Sequence, residues 1–241
     1  MADWISFWDT EHSIYVNARH RDVHYRTIAE HIDAMLALPA GHAREQGRDF
    51  APVILDYGCG EALYAHLVAR KARRLILCEA APTVRKGLAE RYAGDQNIQV
   101  CAPEDVAGMP EGSIDIIVMH SVLQYLTPEE ADALFAHFRR LLTPRGHFFL
   151  GDVIPPDLPP SIDVLALLRF ARANGFLLAA LRGLVRTAFS NYPRLRSTLG
   201  LARYSEAAIT AKLAAAGFSA TRSPANIGHN PVRMTFLARP A

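Results

Sequence analysis

The stretch from Val53 to Ala62, VILDYGCGEA, restricts the fold of this chain more than any other segment. An apolar run of β-type residues ends in Asp56 and turns at once through Gly58 and Gly60. Glycine has no Cβ and tolerates positive φ, so such a turn brings backbone close to a ligand. Apolar residues with helical character follow from Leu63 to Ala72. Together these segments predict the strand, turn and helix that begin a βαβ nucleotide-binding fold.

The next apolar run, from Arg73 to Ala80, also carries an acid near its end, Glu79, which lies 19 residues beyond Gly60. At this spacing a carboxylate at the end of the second strand accepts hydrogen bonds from ribose hydroxyls. NAD is disfavoured as the ligand because the turn departs from G-x-G-x-x-G and contains Asp56, which would repel a diphosphate. A cationic or zwitterionic nucleoside suits Asp56 better.

The segment DYGCGEA resembles the D-x-G-x-G-x-G motif of class I S-adenosylmethionine-dependent methyltransferases, and Glu79 matches their ribose-binding acid. The resemblance continues through EDVAGMPEGSIDIIVMHSVLQYL and LLTPRGHFFLGD, and it covers roughly residues 49–152. Ala62 stands where the family usually has a third glycine, which is the mildest replacement. The resemblance implies an α/β, Rossmann-like fold with a seven-stranded, mostly parallel sheet whose last strand is antiparallel.

Residues 1–48 precede this fold and are predicted to form an N-terminal helical cap. Asp22 is predicted to be the N-cap of a helix that runs to Leu38, with Pro39 as its stop. In similar methyltransferases such an extension closes over the ligand, and the alternative is a helix that only covers a sheet edge. A cluster of Tyr, His and Arg residues favours the first interpretation. Its members are Tyr15, Arg19, His20, His24 and Tyr25.

Residues 155–202 are predicted to be a helical insertion after the fifth strand, so the nucleotide-binding domain comprises residues 49–154 and 203–241. Ser161 to Phe189 is expected to form one or two helices with a break near Asn174. A helical wheel places four arginines in an arc of roughly 140°, opposite Leu, Phe and Val. These are Arg169, Arg172, Arg182 and Arg186. A lid, a helical hairpin packed on the sheet, and an interfacial membrane helix over 162–189 are the three interpretations.

The segments FSATRS and RMTFLARP are predicted to be the closing strands. Because the resemblance makes the second of them antiparallel, the loop PANIGHNPV returns to the ligand side of the sheet. His229 and Asn230 of that loop are therefore candidates to face the site, and a plain turn built from Pro, Asn and Gly is the alternative.

The cofactor implied by the resemblance is S-adenosylmethionine, with S-adenosylhomocysteine as its product. The residues expected to contact it are Asp56, Tyr57, Gly58, Cys59, Gly60, Glu79, Ala80, Pro103, Glu104, Asp105, His120, Ser121, Arg19 and Tyr25. Arg19 is the candidate partner of the methionine carboxylate. Glu104 or Asp105 is expected to bind the adenine amino group.

Methyl transfer from a sulfonium requires an acceptor held in line, exclusion of water and, for some acceptors, a base. The candidate catalytic residues are His120, His24, Tyr15 and His229. His120 follows the fourth strand and is the first candidate for a base, because an unperturbed imidazole titrates near neutral pH. The alternative is that only its backbone contacts the cofactor.

Composition excludes several other classes of protein. Half the residues are hydrophobic and the net charge is +2, which favours a globular protein and does not suggest a nucleic-acid partner. The three cysteines lack metal-ligand spacing, so no metal is expected. Without an apolar signal-peptide segment at the start or an apolar run of ~18 residues, the chain is predicted to be cytoplasmic.

These observations predict an enzyme, an S-adenosylmethionine-dependent methyltransferase that acts on O, N or C of a small molecule. One alternative is a lipid or quinone methyltransferase that docks on a membrane surface through residues 162–189. Another is a non-catalytic S-adenosylmethionine-binding regulatory module, since a fold does not fix a function. The long apolar insertion is also a candidate interface for a homodimer.

Overall fold

A seven-stranded sheet lies at the centre of the computed structural model, which describes residues 5–6, 8–9, 15–47, 49–188 and 201–241. The strands are β1 (Val53–Tyr57), β2 (Arg74–Cys78), β3 (Ile98–Cys101), β4 (Ile114–His120), β5 (Leu142–Val153), β6 (Phe218–Arg222) and β7 (Met234–Pro240). Their order is β3-β2-β1-β4-β5-β7-β6, and β7 alone runs antiparallel to its neighbours. This is the predicted Rossmann-like topology, including its antiparallel last strand.

Helices cover both faces of the sheet. In the described residues they are α1 (Ala18–Met35), α2 (Ala37–Glu45), α3 (Ala65–Ala69), α4 (Pro82–Arg91), α5 (Pro103–Ala107), α6 (Pro128–Leu141), α7 (Pro160–Ala173), α8 (Leu177–Ala188) and α9 (Glu206–Ala215). A short 3-10 helix spans Leu123–Tyr125.

The central strands are continuous apolar runs because both of their faces are buried. Leu55 and Ile117 pack into one hydrophobic layer with helices α6 and α9, while Ile54 and Val118 belong to the opposite layer. Ile32 of α1 lies in that second layer, so the N-terminal helix is part of the sheet's own core.

Helix α6 begins as its sequence predicts. Thr127 caps it through a hydrogen bond from the backbone N of Glu130, and the Glu130 side chain accepts from the Thr127 amide. Phe135 and Phe138 are fully buried, and both rings contact the Phe148 ring of β5. The apolar face of this helix therefore packs on the sheet.

The predicted bounds of the first helix are wrong. Helix α1 begins five residues earlier, at Ala18, where Asn17 is the N-cap and accepts a hydrogen bond from the amide of His20. Asp22 lies inside the helix, and its carboxylate accepts a hydrogen bond from the Tyr64 hydroxyl. Pro39 does not stop the chain, because it lies in the first turn of α2, where its missing N–H is not needed.

Helix α3 is shorter than the predicted segment Leu63 to Ala72. It covers only Ala65–Ala69, because the backbone at Ala62 is still left-handed, with φ of 39°. The Gly-rich turn thus extends further along the chain than the glycines alone indicate.

The insertion forms a helical hairpin of α7 and α8 that breaks at Asn174 and Gly175, as predicted. Phe176 and Ala171 of the hairpin pack on Val23 of α1. The described hairpin therefore packs on the N-terminal helix. Residues 189–200 of the predicted insertion lie outside the described part of the chain.

The outer surface of the hairpin is both basic and apolar. All four arginines of the predicted arc are exposed, but Leu178, Leu181 and Val185 are exposed as well, by 71%, 45% and 61%. The expectation that the apolar side lies opposite the arginines is therefore wrong for these three residues of α8. Among the helices the structure describes, none is long and apolar enough to cross a membrane.

Candidate active site

The Gly-rich turn after β1 is tightly enclosed by its neighbours. Gly58 and Gly60 have φ of 74° and 59°, in the left-handed region that favours glycine. A Cβ added to Gly58 would lie 2.3 Å from Val122 Cγ2, and one added to Gly60 would lie 2.8 Å from the Tyr25 hydroxyl. Both positions therefore require glycine for two independent reasons, conformation and space.

Two carboxylates lie beside this turn, at the ends of β1 and β2. Glu79 is buried, and its oxygens accept hydrogen bonds from the backbone N of Gly60 at 2.9 Å and of Ala81 at 2.8 Å. Burial, together with the charge of Glu79, raises the pKa of Asp56 to about 7. Within the described residues, no donor makes a hydrogen bond to the Asp56 side chain. Of the two carboxylates beside the turn, Glu79 is hydrogen-bonded, whereas Asp56 has no donor among the described residues.

Helix α1 brings aromatic side chains onto the same turn. The Tyr25 hydroxyl accepts a hydrogen bond from the backbone N of Glu61 at 3.0 Å. The Tyr15 ring is buried, and its centroid lies 5.7 Å from that of Tyr25 and 5.3 Å from that of His24. The predicted cap residues Tyr15, His24 and Tyr25 are therefore brought together, next to the glycines.

His120 ends β4 and faces the loop before β7. Its Nε2 lies 3.1 Å from the Ile227 carbonyl oxygen, and because a carbonyl only accepts, this nitrogen donates. Burial lowers the pKa of His120 below its usual value. His31 of α1 accepts a hydrogen bond from the backbone N of Gly228 at 3.1 Å, so α1 and this loop are joined directly.

The loop places His229 between α1 and the insertion. The His229 ring stacks on Phe170 of α7 with centroids 4.8 Å apart, and its centroid lies 6.3 Å from that of His24. Burial lowers the pKa of both imidazoles, and it lowers that of His24 well below the usual range. Asn230 donates to Asp163 of α7 at 2.7 Å. The loop thus returns to the carboxyl ends of the strands.

A polar network connects the ends of β4 and β5 to the insertion, and of its members Ser121 was a predicted cofactor contact, whereas Asp152, Asp163 and Arg233 were not predicted. Ser121 donates to Asp152 at 2.6 Å, and Arg233 forms ion pairs with Asp152 at 2.6 Å and Asp163 at 3.1 Å. Burial alone would raise the pKa of Asp152, but Arg233 and His120 hold it below its usual value. The available signal was the position of Asp152 at the end of a predicted strand.

Other predicted residues are held by local contacts. Arg19 pairs with Asp22 at 3.1 Å and donates to the Asn174 carbonyl at 3.3 Å, neither of which belongs to the Gly-rich turn. Asp105 accepts a hydrogen bond from the Ala102 amide at 2.8 Å and so caps α5. Glu104 is exposed, and both acids border an open cleft beside β3.

The remaining predicted contact residues are held by core packing and local hydrogen bonds. The Tyr57 ring packs on Phe138 in the core, 5.2 Å between centroids, and the amide of Cys59 donates to the Cys78 carbonyl at 3.2 Å. The Ala80 carbonyl accepts a hydrogen bond from Arg85, and Pro103 opens α5. In the described part of the chain, no three His, Cys, Asp or Glu side chains are grouped to hold a metal ion.

Comparisons with known proteins agree with this geometry. A family model described as a methyltransferase domain matches residues 55–150, from β1 to β5. A carboxy-S-adenosyl-L-methionine synthase from Shewanella oneidensis is 33% identical over 88 residues, which are 35% of this chain and 35% of that protein. The chain thus matches only about a third of the length of this curated relative.

Two solved structures show the same architecture. The magnesium protoporphyrin IX methyltransferase of Synechocystis, determined with bound S-adenosylhomocysteine, superposes with a TM-score of 0.57 at 19% identity. The alignment covers 100% of this chain and 94% of that protein. The mitomycin 7-O-methyltransferase gives a TM-score of 0.55 at 19% identity, over 79% of this chain and 50% of that one. At these identities the likeness establishes the fold.

The family resemblance read from the Gly-rich turn is therefore confirmed over the central part of the chain. Strand order, the antiparallel β7 and the family match all lead to one assignment. Residues 55–150 match the methyltransferase-domain model, and the chain has the fold of the class I S-adenosylmethionine-dependent methyltransferases.

Proposed function

We propose that this chain binds S-adenosylmethionine at the turn after β1 and transfers its methyl group to a small-molecule acceptor. The observation that carries the proposal is the hydrogen bond from the Gly60 amide to Glu79 Oε2, at 2.9 Å. It fixes the Gly-rich turn against the acid at the end of β2, at the spacing used for ribose recognition.

The residues around the turn fit such a cofactor. Because Gly58 and Gly60 have no side chains, Val122 and Tyr25 approach the turn closely, and the turn presents backbone to a ligand. Asp56 is a carboxylate without a hydrogen-bond donor among the described residues, and a raised pKa indicates that it lacks a compensating positive charge. A ligand that carries an amine, a sulfonium and two hydroxyl groups supplies both the charge and the donors.

S-adenosylmethionine, when bound, supplies a methyl group that its sulfonium already activates. The chain's own residues orient the acceptor, exclude water and hold the acceptor's proton where one must leave. Tyr15 and Tyr25 cover the turn with aromatic surface. His24 and His229 are neutral at pH 7 because burial lowers their pKa, and a neutral imidazole accepts a proton.

We infer that His24 and His229 are better placed as bases than His120. The Nε2 of His120 donates to the Ile227 carbonyl and so positions the loop before β7, which leaves only the Nδ1 of this ring able to accept a proton. His229 stacks on Phe170 of the insertion and neighbours His24, with 6.3 Å between the ring centroids, so an acceptor held against the insertion lies next to an imidazole.

The test is a turnover assay with methyl-labelled S-adenosylmethionine against phenols, amines and quinones. His24→Gln and His229→Gln should each reduce turnover by roughly 10²-fold or more, while the affinity for S-adenosylhomocysteine changes little. His66→Gln, on an exposed position of α3, is the matched control and should leave both unchanged. Cofactor binding without turnover on any acceptor would instead favour a non-catalytic regulatory module.

We also propose the division of the chain that the sequence predicts, with a cap at residues 1–48 and an insertion at 155–202. The cap reaches both sides of the carboxyl edge, since Asp9 accepts a hydrogen bond from the Thr83 amide and the Trp8 ring contacts Tyr125. Arg19 of α1 donates to Asn174 of the hairpin, so the cap and the insertion also contact each other.

A lipid or quinone acceptor presented at a membrane surface is the second candidate, and one observation favours it. Leu178, Leu181 and Val185 are exposed beside Arg182 and Arg186 on α8. Residues 164–205 contain seven arginines and no Asp or Glu. A basic, apolar surface of this kind suits an anionic membrane, and a second copy of the chain is the other occupant proposed for it.

Co-sedimentation with anionic and neutral vesicles distinguishes these occupants. Binding to the anionic vesicles that is lost in Arg182→Glu/Arg186→Glu supports the membrane. A dimer of the wild-type protein that Leu178→Ser makes monomeric supports the second copy.

A further inference from the structure

A cavity of about 270 Å³ lies between helix α7 and the loop that carries His229. Its wall is mostly apolar and includes Ile162, Ala166 and Phe170 of the helix. Leu165 and Val232 line it too, and both remain more than two-fifths exposed, at 41% and 43%. Its size is close to the lower end of the range for small-molecule pockets, ~300–1,000 Å³. An apolar cavity with an apolar, solvent-reaching rim suits a ligand with an apolar body.

The cavity adjoins one of the two candidate bases. His229 is part of its wall and stacks on Phe170, and the centroid of the His24 ring lies 6.3 Å from that of His229. Asn230 also lines it, but this amide is already bound to Asp163. A ligand in the cavity therefore contacts an imidazole without first breaking the polar network.

One charged side chain that lines the cavity is an uncompensated cation. Arg169 is exposed and forms no ion pair with any residue that the structure describes. Asp163, on the same helix, is engaged by Arg233 and Asn230 and so does not neutralise it. The cavity thus combines an apolar wall with a guanidinium that no described residue pairs with, which favours a carboxylate or similar anion.

We propose that this cavity is the acceptor subsite, and that it takes an acceptor with an apolar ring or chain and one negatively charged group. The inference rests on the proposed methyl transfer and adds a substrate class to it. Charge selectivity comes from Arg169, and the apolar contacts come from the α7 side of the cavity.

A pair of isosteric probes tests the charge preference directly. The dissociation constants of 2-naphthoate and the neutral 2-naphthamide are measured by ligand-observed NMR on the full chain, with S-adenosylhomocysteine present. The wild-type protein should bind the anion about three- to five-fold more tightly, as expected for one exposed ion pair. Arg169→Gln should abolish this preference, whereas Arg172→Gln, an exposed arginine one turn further along α7, should keep it.

A second pair of variants tests the location. Leu165→Trp, at the rim, should weaken binding of both probes, and Leu178→Trp, exposed on α8, should weaken neither. Equal affinity for the two probes in the wild-type protein, or loss of the preference in Arg172→Gln as well, would overturn the subsite.

Calorimetry with S-adenosylhomocysteine on the same samples separates the subsite proposal from the methyl-transfer proposal. If the nucleoside binds and the probe preference is missing, only the subsite fails; if the nucleoside does not bind, the methyl-transfer proposal fails.

Discussion

Ser121 donates a 2.6 Å hydrogen bond to Asp152, and both residues have left-handed backbone, with φ of 58° and 65°. Ser121 directly follows β4, and Asp152 lies one residue before the end of the neighbouring parallel strand β5. Non-glycine residues adopt this conformation at a cost, and such residues cluster at functional sites. Arg233 holds Asp152 in place and also binds Asp163, so one guanidinium connects the edge of the sheet to the first helix of the insertion.

We expect Arg233→Gln to destabilise the protein by roughly 3 kcal/mol, because it leaves two mostly buried carboxylates without their cation. Urea unfolding followed by circular dichroism measures the change. Arg222→Gln is the matched control, since Arg222 forms an exposed ion pair with Glu206 whose loss should cost less than about 1 kcal/mol. Equal destabilisation by the two substitutions would show that Arg233 does not hold the insertion.

Gly60→Ala should destabilise the turn by roughly 1–2 kcal/mol through its left-handed backbone, with a further cost from contact with the Tyr25 hydroxyl. Tyr25→Phe removes that hydroxyl. This substitution should therefore destabilise the Gly60→Ala variant less than it destabilises the wild-type protein. Thermal unfolding of the wild type, the two single variants and the double variant measures the coupling energy between residues 60 and 25. Gly87→Ala is the control, because Gly87 lies in α4 with nothing within 4 Å of an added Cβ, and it should stabilise the protein slightly. Additive effects of the Gly60 and Tyr25 substitutions would contradict the contact.

The pKa of Asp56 predicts a pH dependence of stability in the protein without ligand. The folded value, about 7, lies above the ordinary 3.8, so the folded state retains a proton that the unfolded state releases. The stabilisation that the folded protein gains from the protonated Asp56 is therefore fully present below about pH 4 and is lost as the pH rises through about 7. Urea unfolding at pH 5 and pH 8 should show a smaller decline in Asp56→Asn than in the wild type. An identical loss of stability in the wild type and in Asp56→Asn would show that Asp56 does not cause the pH dependence.

The framework of the fold was predictable because its signals are local. Strands buried on both faces produce the continuous apolar runs of β1 and β4, and Thr127 with Glu130 marks the start of α6. The start of α1 was not predictable in this way, since Asn17 and Asp22 are both good N-caps. The choice depends on Tyr64, 42 residues away, which binds the Asp22 carboxylate.

The candidate site was predictable only in part, for the same reason. The turn and Glu79 follow from spacing along the chain, but Arg233 meets Asp152 from 81 residues away. Arg19 belongs to the same polar cluster in sequence as His24 and Tyr25, yet it points to a partner in the hairpin. Sequence patterns identify which residues reach the carboxyl edge of the sheet, whereas tertiary packing decides which of them meet.

Calorimetry with S-adenosylmethionine, S-adenosylhomocysteine and NAD tests the central claim most directly. The wild-type protein should bind the first two in the roughly micromolar range and should not bind NAD. Glu79→Gln should weaken binding by about 1–3 kcal/mol, since it loses a charged hydrogen-bond acceptor, while Glu90→Gln, on the exposed surface of α4, should have no effect. If neither nucleoside binds, or if NAD binds equally well, the turn after β1 is not an S-adenosylmethionine site.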